Sequence, residues 1–413
     1  MQRNAARLKR YQKVIEHIGG FSRHRTFVAL GGGDGEFNGF FAKFLGAALN
    51  AIMQHRSVPS RRSQVIAANN VMNAIFMIVS ASGVLNVASI GSVFGKTVYK
   101  ARAPLSGLLS LALLAGGLMV LMLDLGRPDR VLIAATHYNF KSVFAWNVFL
   151  YSGLFAIVGV YLWTMFERRL NRYSKKAGLA AFVWRFVLTT GTGSIFGFLV
   201  ARQAYQSAVL APMFIVLSFG WGLAVFLIVQ SSMYAWNGRT LPAEIRRRMM
   251  RLLGVFIVGA LYFVAVYHLT NLYFARQGAF ERFILVDGGV FPWLFWGGYV
   301  LLGSALPYGL LLLGGARCAQ IASVLVILGG MALLYVFIIG GQAFPLDLFP
   351  GYTVASSFHD GAIEHYAPTL PEVLLGLGGM AMAFVLTIVG VRVFDFLPED
   401  DFGPLAGSAH LLD

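Results

Sequence analysis

The sequence predicts an all-α polytopic membrane protein with nine or ten transmembrane helices, and composition and run length are the two observations behind this. Of the 413 residues, 57% are hydrophobic and only 12% are charged, about half the charged fraction of a soluble globular domain. The apolar runs are continuous, and each can form a helix long enough to cross a bilayer. A membrane barrel is excluded, because its strands are short and alternate in polarity.

Nine apolar runs after residue 70 are predicted to be spans of one transmembrane domain, residues 71–398. They cover approximately 71–94, 101–124, 142–166, 178–201, 208–234, 251–275, 290–314, 318–341 and 371–396. Glycine and other small residues recur within them, as at 191–194 and 376–379. Small residues let membrane helices approach closely, so tight helix packing is expected.

The two ends of the chain differ from this domain. Residues 1–70 are basic and atypical, and their first 25 residues lack the apolar core of a cleavable signal peptide. Residues 37–53 are a doubtful tenth span, because the stretch is short and contains Lys43. Residues 399–413 are expected to form a cytoplasmic tail.

The basic residues indicate an orientation rather than a nucleic-acid partner. The net charge of +15 is concentrated in short loops between spans, the positive-inside pattern of membrane proteins. Loops after odd-numbered spans are assigned fifteen Lys and Arg, Arg185 among them, and the alternate loops six. The first set is therefore predicted to be cytoplasmic, and residues 125–140 and 342–372 to face the other side. A basic N-terminus on the cytoplasmic side favours ten spans.

Cofactor ligands are scarce in the sequence. The single cysteine, Cys318, excludes an intrachain disulfide, a Cys-ligated iron–sulfur cluster and covalent c-type haem attachment. His268 is the only histidine inside a predicted span, which argues against a bis-histidine haem within one subunit. No metal site is predicted, so electrons would have to pass to the cofactor of a partner.

Polar side chains from several spans fall at one membrane depth, near the outer face. Asp124 ends the second span, and Arg127 follows close to one helical turn later. The full set is Asp124, Arg127, His137, Asn139, Arg202, Tyr205, His268, Asn271 and Glu372. Ionisable groups at membrane depth are costly and commonly functional. Each alone also fits a structural role, such as an ion pair capping a helix end or an arginine that reaches the interface.

This combination of residue types suits a membrane-soluble quinone. A quinone needs an apolar slot, hydrogen-bond donors for its ring oxygens, and proton carriers such as a carboxylate or histidine. Asp124 and His268 are the predicted proton carriers, and the remaining residues of the set are predicted to contact the quinone. Two alternatives stay open: a secondary transporter, whose charges would line a substrate path near the midplane, and a purely structural anchor for redox subunits. The long acidic connection 342–372 is a candidate docking surface for a partner.

Several stretches resemble a known family. LDLGRPDR (Leu123–Arg130) and HYNFKSVFAWN (His137–Asn147) resemble the NrfD-like superfamily of quinone-interacting membrane subunits, which includes the polysulfide reductase membrane subunit. TTGTGSIFGFLVARQAY (Thr189–Tyr205) and YAPTLPE (Tyr366–Glu372) resemble its later motifs. Other stretches, such as TNLYFARQGAFERFILVDGG (Thr270–Gly289), look like DsrP-type members, which are associated with dissimilatory sulfite reductase.

The resemblance carries expectations of its own. It implies paired four-helix bundles with extra helices, a quinone site near the outer face, and menaquinone or ubiquinone as substrate. It implies no haem or iron–sulfur cluster in this chain. It also implies a periplasmic iron–sulfur protein and cytochrome subunits as partners, in a respiratory complex of the bacterial inner membrane linked to sulfur compounds. The family's Asp, associated with quinone or proton handling, corresponds to Asp124.

Overall fold

A computed structural model describes residues 61–124, 133, 136, 141–167, 169–200, 202–238, 240–345 and 370–394. Several predictions fall outside these residues. They are the doubtful span 37–53, the site candidates Arg127, His137 and Asn139, most of the connection 342–372, and the tail 399–413.

The described residues contain nine helices long and apolar enough to cross a membrane, which confirms the all-α polytopic fold and the nine spans after residue 70. The nine are α1 (Arg61–Ser92), α2 (Ala103–Asp124), α3 (Val143–Phe166), α4 (Ser174–Gly197), α5 (Leu210–Trp236), α6 (Ala243–Tyr273), α7 (Val290–Leu313), α8 (Ala316–Ala343) and α9 (Leu370–Val393). The largest differences from the predicted bounds are at α1, which begins at Arg61 rather than at 71, and at α6, which begins at Ala243 rather than at 251. The first turns of α6 are polar but helical, so apolarity alone placed the start too late.

The helices form two rings of four. In the first ring α1 contacts α2, α2 contacts α3, α3 contacts α4, and α4 closes back on α1. In the second ring α5 contacts α6, α6 contacts α7, α7 contacts α8, and α8 closes back on α5. The rings meet where α1 and α4 pack on α5, and α9 packs on α2 and α1. These are the paired four-helix bundles, with an extra helix, that the family resemblance implies.

Glycines permit the close crossing of α1 and α5 between the two bundles. A Cβ atom built on Gly83 would lie 1.7 Å from the backbone oxygen of Ser218, and one on Gly222 would lie 2.2 Å from the backbone of Gly83. No side chain fits at such distances, so the two backbones are in direct contact. This is the close approach that small residues make possible between membrane helices.

Within the described residues, three stretches of π-helix belong to the second bundle and to the connection that follows α6. They are Trp293–Ala305 within α7, Tyr335–Gly340 within α8, and Phe283–Asp287, which follows the short helix Gly278–Arg282. A π-turn disturbs the regular hydrogen-bond ladder, and such turns occur frequently at functional sites. The backbone is therefore least regular near the end of α6, the helix that carries His268.

One basic residue counted with the cytoplasmic loops lies elsewhere. Arg185 is buried within α4, and its guanidinium carbon lies 4.7 Å from the ring centroid of Phe186. Its Nη1 also donates to the backbone oxygen of Ser82 on α1, at 3.4 Å. The loop assignment of Arg185 is wrong, because cation–π contacts and a carbonyl let the charge stay inside the bundle. Without Arg185, the loops after odd-numbered spans still carry more Lys and Arg than the alternate loops.

Candidate functional site

A fully buried carboxylate lies at the end of α6. Glu281 is 0% exposed. Its Oε2 lies 2.7 Å from Nδ1 of His268, and its Oε1 accepts a hydrogen bond of 2.7 Å from Nδ2 of Asn271. A buried charge is costly unless it is paired and hydrogen-bonded. Both carboxylate oxygens have such a partner here, so these three residues form one polar unit, which we call the Glu281 cluster.

Local chain geometry brings the three residues together. His268 and Asn271 are three positions apart near the end of α6, so they share a face of the helix. After α6 ends at Tyr273, a turn leads into the short helix Gly278–Arg282, which carries Glu281. The backbone N–H of Glu281 donates to the oxygen of Gln277 at 3.0 Å. The short helix thus folds back and sets its carboxylate against the preceding span.

The cluster assigns different roles to the two nitrogens of His268. When Nδ1 donates its proton to Glu281, the neutral ring keeps its lone pair on Nε2. The part of the chain that the structure describes gives Nε2 no hydrogen-bond partner. Within the same residues, Oδ1 of Asn271 is also buried without one. With His268 in this tautomer, the cluster offers two acceptor atoms to a ligand that carries a hydroxyl group.

A small cavity of about 10 Å³ adjoins His268 and Tyr267. Its other walls are apolar and include Phe280, Ile284 and Phe337. This volume corresponds to about one water molecule, and a quinone ring is much larger. A ring can reach the cluster only if some of these side chains move.

The connection between α4 and α5 supports the cluster from one side. Tyr267 donates its hydroxyl proton to the oxygen of Ala204, and Tyr205 donates its own to the oxygen of Ile338 at 3.2 Å. Burial raises the pKa of Tyr205 well above its usual range, an effect that the nearby charge of Arg202 only partly offsets. Tyr205 is therefore a neutral donor at physiological pH, and it ties the connection to the π segment of α8.

Arg202 binds the end of α8. Its Nη1 lies 3.1–3.4 Å from the backbone oxygens of Gly341, Gln342 and Phe344. The last carbonyls of a helix lack intrahelical partners and carry partial negative charge, so a cation stabilises them. These contacts give Arg202 a structural task, whether or not it also contacts a ligand.

Asp124 belongs to a second polar group, in the first bundle. It lies half-buried at the end of α2, and its Oδ1 accepts a hydrogen bond of 2.8 Å from Nδ2 of Asn70 on α1. A carboxylate at a helix C-terminus is unfavourable for the helix dipole, and the amide offsets part of that cost. Because Arg127 lies outside the described residues, its predicted pairing with Asp124 stays a prediction.

Glu372 lies beside this second group. It is 4% exposed near the start of α9. One turn later α9 touches α1, since a Cβ atom on Gly376 would lie 2.5 Å from Nδ2 of Asn73. The site candidates within the described residues therefore divide into two groups. His268 and Asn271, with Tyr205 and Arg202 beyond them, belong to the second bundle, and Asp124 belongs to the first. Glu372 is on α9, which packs on the first bundle, and its charge is also close enough to interact with Tyr335 of α8.

Sequence reasoning missed Glu281 and Asn70. Glu281 lies 13 residues after His268, in a stretch that the sequence predicts to be a loop. Its immediate surroundings carried a usable signal, because Phe280, Phe283 and Ile284 are apolar and would draw the segment into the protein. Asn70 fell at the boundary of the first predicted span and was not considered.

Comparison with known proteins identifies the family. The sequence profile described as "Polysulphide reductase, NrfD" matches residues 58–346, most of the chain. The chain belongs to the NrfD family. The match includes α1 to α8, and so it includes the Glu281 cluster as well as Asn70 and Asp124. Family membership confirms the resemblance at family level, whereas the likeness to DsrP-type members stays a prediction.

Two curated proteins are similar to this NrfD chain. The "Hdr-like menaquinol oxidoreductase integral membrane subunit" of Archaeoglobus fulgidus is 31% identical over 327 residues, which is 77% of this chain and 82% of that protein. A putative membrane subunit of dimethyl sulfoxide reductase from Halobacterium salinarum is 26% identical over 377 residues, 81% of this chain and 83% of that protein. Both relatives are archaeal, so the bacterial inner membrane also stays a prediction.

Proposed function

We propose that this chain is the quinone-interacting membrane subunit of a multi-subunit redox complex, and that the Glu281 cluster exchanges protons with the quinone. One observation carries the proposal. A fully buried carboxylate holds a histidine by Nδ1 and leaves its Nε2 without a protein partner among the described residues. Carboxylate and histidine are the groups that general acid–base work requires, and a relative of this family is named as a menaquinol oxidoreductase subunit.

The geometry suggests how the chain's own residues take part in proton transfer from a quinol. Oxidation of a quinol to a quinone releases two electrons and two protons. We place one quinol hydroxyl at Nε2 of His268, which accepts a proton while Glu281 stabilises the resulting imidazolium across Nδ1–H. The electrons leave for a cofactor of a partner subunit, and quinone reduction runs the same steps in reverse. The ring approaches from the side of Ile284 and Phe337, which have to move because the cavity beside His268 is small.

Asp124 is the second proton carrier in this proposal, and it accepts or relays the proton of the other quinol hydroxyl. Its hydrogen bond from Asn70 fixes the carboxylate at the end of α2. Because α2 and α6 are both even-numbered spans, their C-terminal ends lie on the same side of the membrane. The other predicted quinone contacts are Arg127, His137, Asn139, Arg202, Tyr205, Asn271 and Glu372.

The membrane side, the type of quinone and the partner subunits are assigned from the family resemblance and from the charges of the loops. We propose that both sites face the periplasm, and that menaquinone or ubiquinone is the substrate. A periplasmic iron–sulfur protein and cytochrome subunits are the proposed partners, in a DsrP-type respiratory complex of the bacterial inner membrane that serves sulfur compounds. The acidic connection 342–372 is their proposed docking surface.

A photoreactive quinone analogue tests the function in membranes that contain the assembled complex. We expect saturable labelling of residues near the end of α6, protection by excess quinone, and weaker labelling in His268→Leu. Tyr273→Leu is the matched control, because Tyr273 is on the same helix and is 87% exposed. A transporter or a structural anchor predicts labelling that does not saturate and is equal in both variants, and that result would reject the proposal.

A further inference from the structure

A groove lies between α6 and α7 at the end of α6 opposite to the Glu281 cluster. It has a volume of about 580 Å³. Along α6 it is lined by Arg247, Arg251, Gly254 and Val258, and α7 contributes Tyr308 and Leu312. From Arg251 to His268 the helix rises about 26 Å, at about 1.5 Å per residue. The groove and the cluster are therefore near opposite surfaces of the membrane.

Charge is confined to one end of this groove. Arg247 and Arg251 are four positions apart, so they share a face of α6, and both are exposed. The neighbouring arginines are engaged, since Arg248 pairs with Glu244 and Arg246 donates to the oxygen of Leu241. Within the described residues, Arg247 and Arg251 have no such partner. Among the described residues, these two cations at the mouth of the groove thus have no compensating charge.

The rest of the groove is apolar and continues toward the membrane interior. Val255 and Val258 are 65% and 51% exposed, and Leu312 is 72% exposed. Gly254 leaves room beside the ring of Tyr308, whose nearest carbon would lie 3.6 Å from an added Cβ atom. A ligand that fits has a negative head group and an apolar chain on the bilayer side. A basic pocket between membrane helices is a recurring site for anionic lipid head groups.

We infer that this groove binds an anionic phospholipid, with its phosphate between Arg247 and Arg251 and an acyl chain along Gly254 and Val258. The site is separate from the proposed quinone chemistry and does not depend on it. Charge complementarity favours this occupant over a helix of a partner subunit, which would have to bring its own acidic residues into an apolar slot.

Lipid retention tests the inference on the intact complex. The complex is reconstituted in nanodiscs of phosphatidylcholine with a minor fraction of phosphatidylglycerol, released gently, and its retained lipids are counted by native mass spectrometry. We expect the wild type to retain phosphatidylglycerol selectively. The double variant Arg247→Gln, Arg251→Gln should retain about thirtyfold less, because each of these two arginines is expected to contribute a factor of about five to the affinity for an anionic lipid. Arg248→Gln is the matched control and should retain as much as the wild type.

A second variant separates the site from general surface charge. Gly254→Leu keeps both arginines but fills the groove, so we expect it to lose the retained phosphatidylglycerol as well. Equal retention in the wild type and the double variant would overturn the inference. It would also be overturned if Gly254→Leu retained lipid normally, or if the double variant lost a protein subunit while its lipid count stayed unchanged.

Discussion

Asp124 and Glu281 are two carboxylates near the same membrane face, and they differ in almost every physical respect. Asp124 ends a long helix, is half-buried, and receives a hydrogen bond from Asn70. Glu281 is on a short helix outside the nine spans, is 0% exposed, and is held by His268 and Asn271. Asp124 stands in the stretch that most resembles the family's motif, whereas Glu281 lies in a stretch that the sequence predicts to be a loop. A sequence motif indicates a candidate residue. Burial and hydrogen-bond partners in the structure show where a charged side chain can be kept away from solvent.

Substitution of Glu281 is expected to reduce quinol-dependent turnover more than any other change. In Glu281→Gln the shape is kept and the ionisable group is removed, so we expect quinol-dependent turnover per assembled complex to fall about a thousandfold, within the usual range of acid–base contributions. Glu281→Leu should also reduce assembly. It leaves buried donors on His268 and Asn271 without an acceptor, at about 1–3 kcal/mol for each.

Asp287→Asn is the matched control for Glu281→Gln. Asp287 follows in the same segment, but its side chain is 51% exposed and pairs with Arg282 on the surface. We expect its turnover to stay within about twofold of the wild type, since surface ion pairs contribute little. Normal turnover in assembled Glu281→Gln would remove Glu281 from proton transfer and leave it a structural partner of His268.

Asp124→Asn is expected to cause the second largest loss of quinol-dependent turnover. The amide keeps the shape but cannot carry a proton, so turnover per assembled complex should fall about a hundredfold if Asp124 relays one. Assembly should survive better than in Asp124→Leu, which also removes the acceptor for Asn70. If Asp124 only caps α2, the pattern reverses: both variants assemble poorly, and whatever assembles turns over normally.

The sequence was sufficient for the fold because membrane spans depend on composition over some twenty residues, a signal that local detail cannot hide. It indicated His268 and Asn271 as candidates because polar groups are conspicuous in apolar runs. It did not predict the Glu281 cluster, because the approach of Glu281 depends on how the chain turns after Tyr273. It also misplaced Arg185, since the rings that hold that charge come partly from another helix, as Phe219 does.

The amide beside each carboxylate allows a finer comparison. Asn271→Leu removes one of the two partners of the fully buried Glu281, and we expect turnover to fall about tenfold, as for a lost hydrogen bond to a charged group. Asn70→Leu should cost less than about threefold, because water can reach the half-buried Asp124 and replace the amide. Both are measured as quinol-dependent turnover per assembled complex. Equal losses would mean that burial does not distinguish the two carboxylates.

Tyr205→Phe should have the smallest effect on turnover, less than about threefold, because its hydroxyl is committed to Ile338. Its effect on stability depends on pH. Near neutral pH the variant should be about 1 kcal/mol less stable, through the lost hydrogen bond. Burial raises the pKa of Tyr205, so above about pH 10 the unfolded tyrosine ionises while the folded one stays neutral, and the wild type loses stability that phenylalanine cannot lose.

Thermal unfolding of the purified protein checks this pH dependence. The gap in stability between the wild type and Tyr205→Phe should narrow as the pH rises from about 9 to about 11, on either side of the ordinary tyrosine pKa. Tyr173→Phe, at a residue 41% exposed, is the control and should show no such trend. A gap that stays constant or widens with pH would mean that folding does not raise the pKa of Tyr205, and that the connection between α4 and α5 packs less closely on α8 than the contacts with Ile338 and Arg202 indicate.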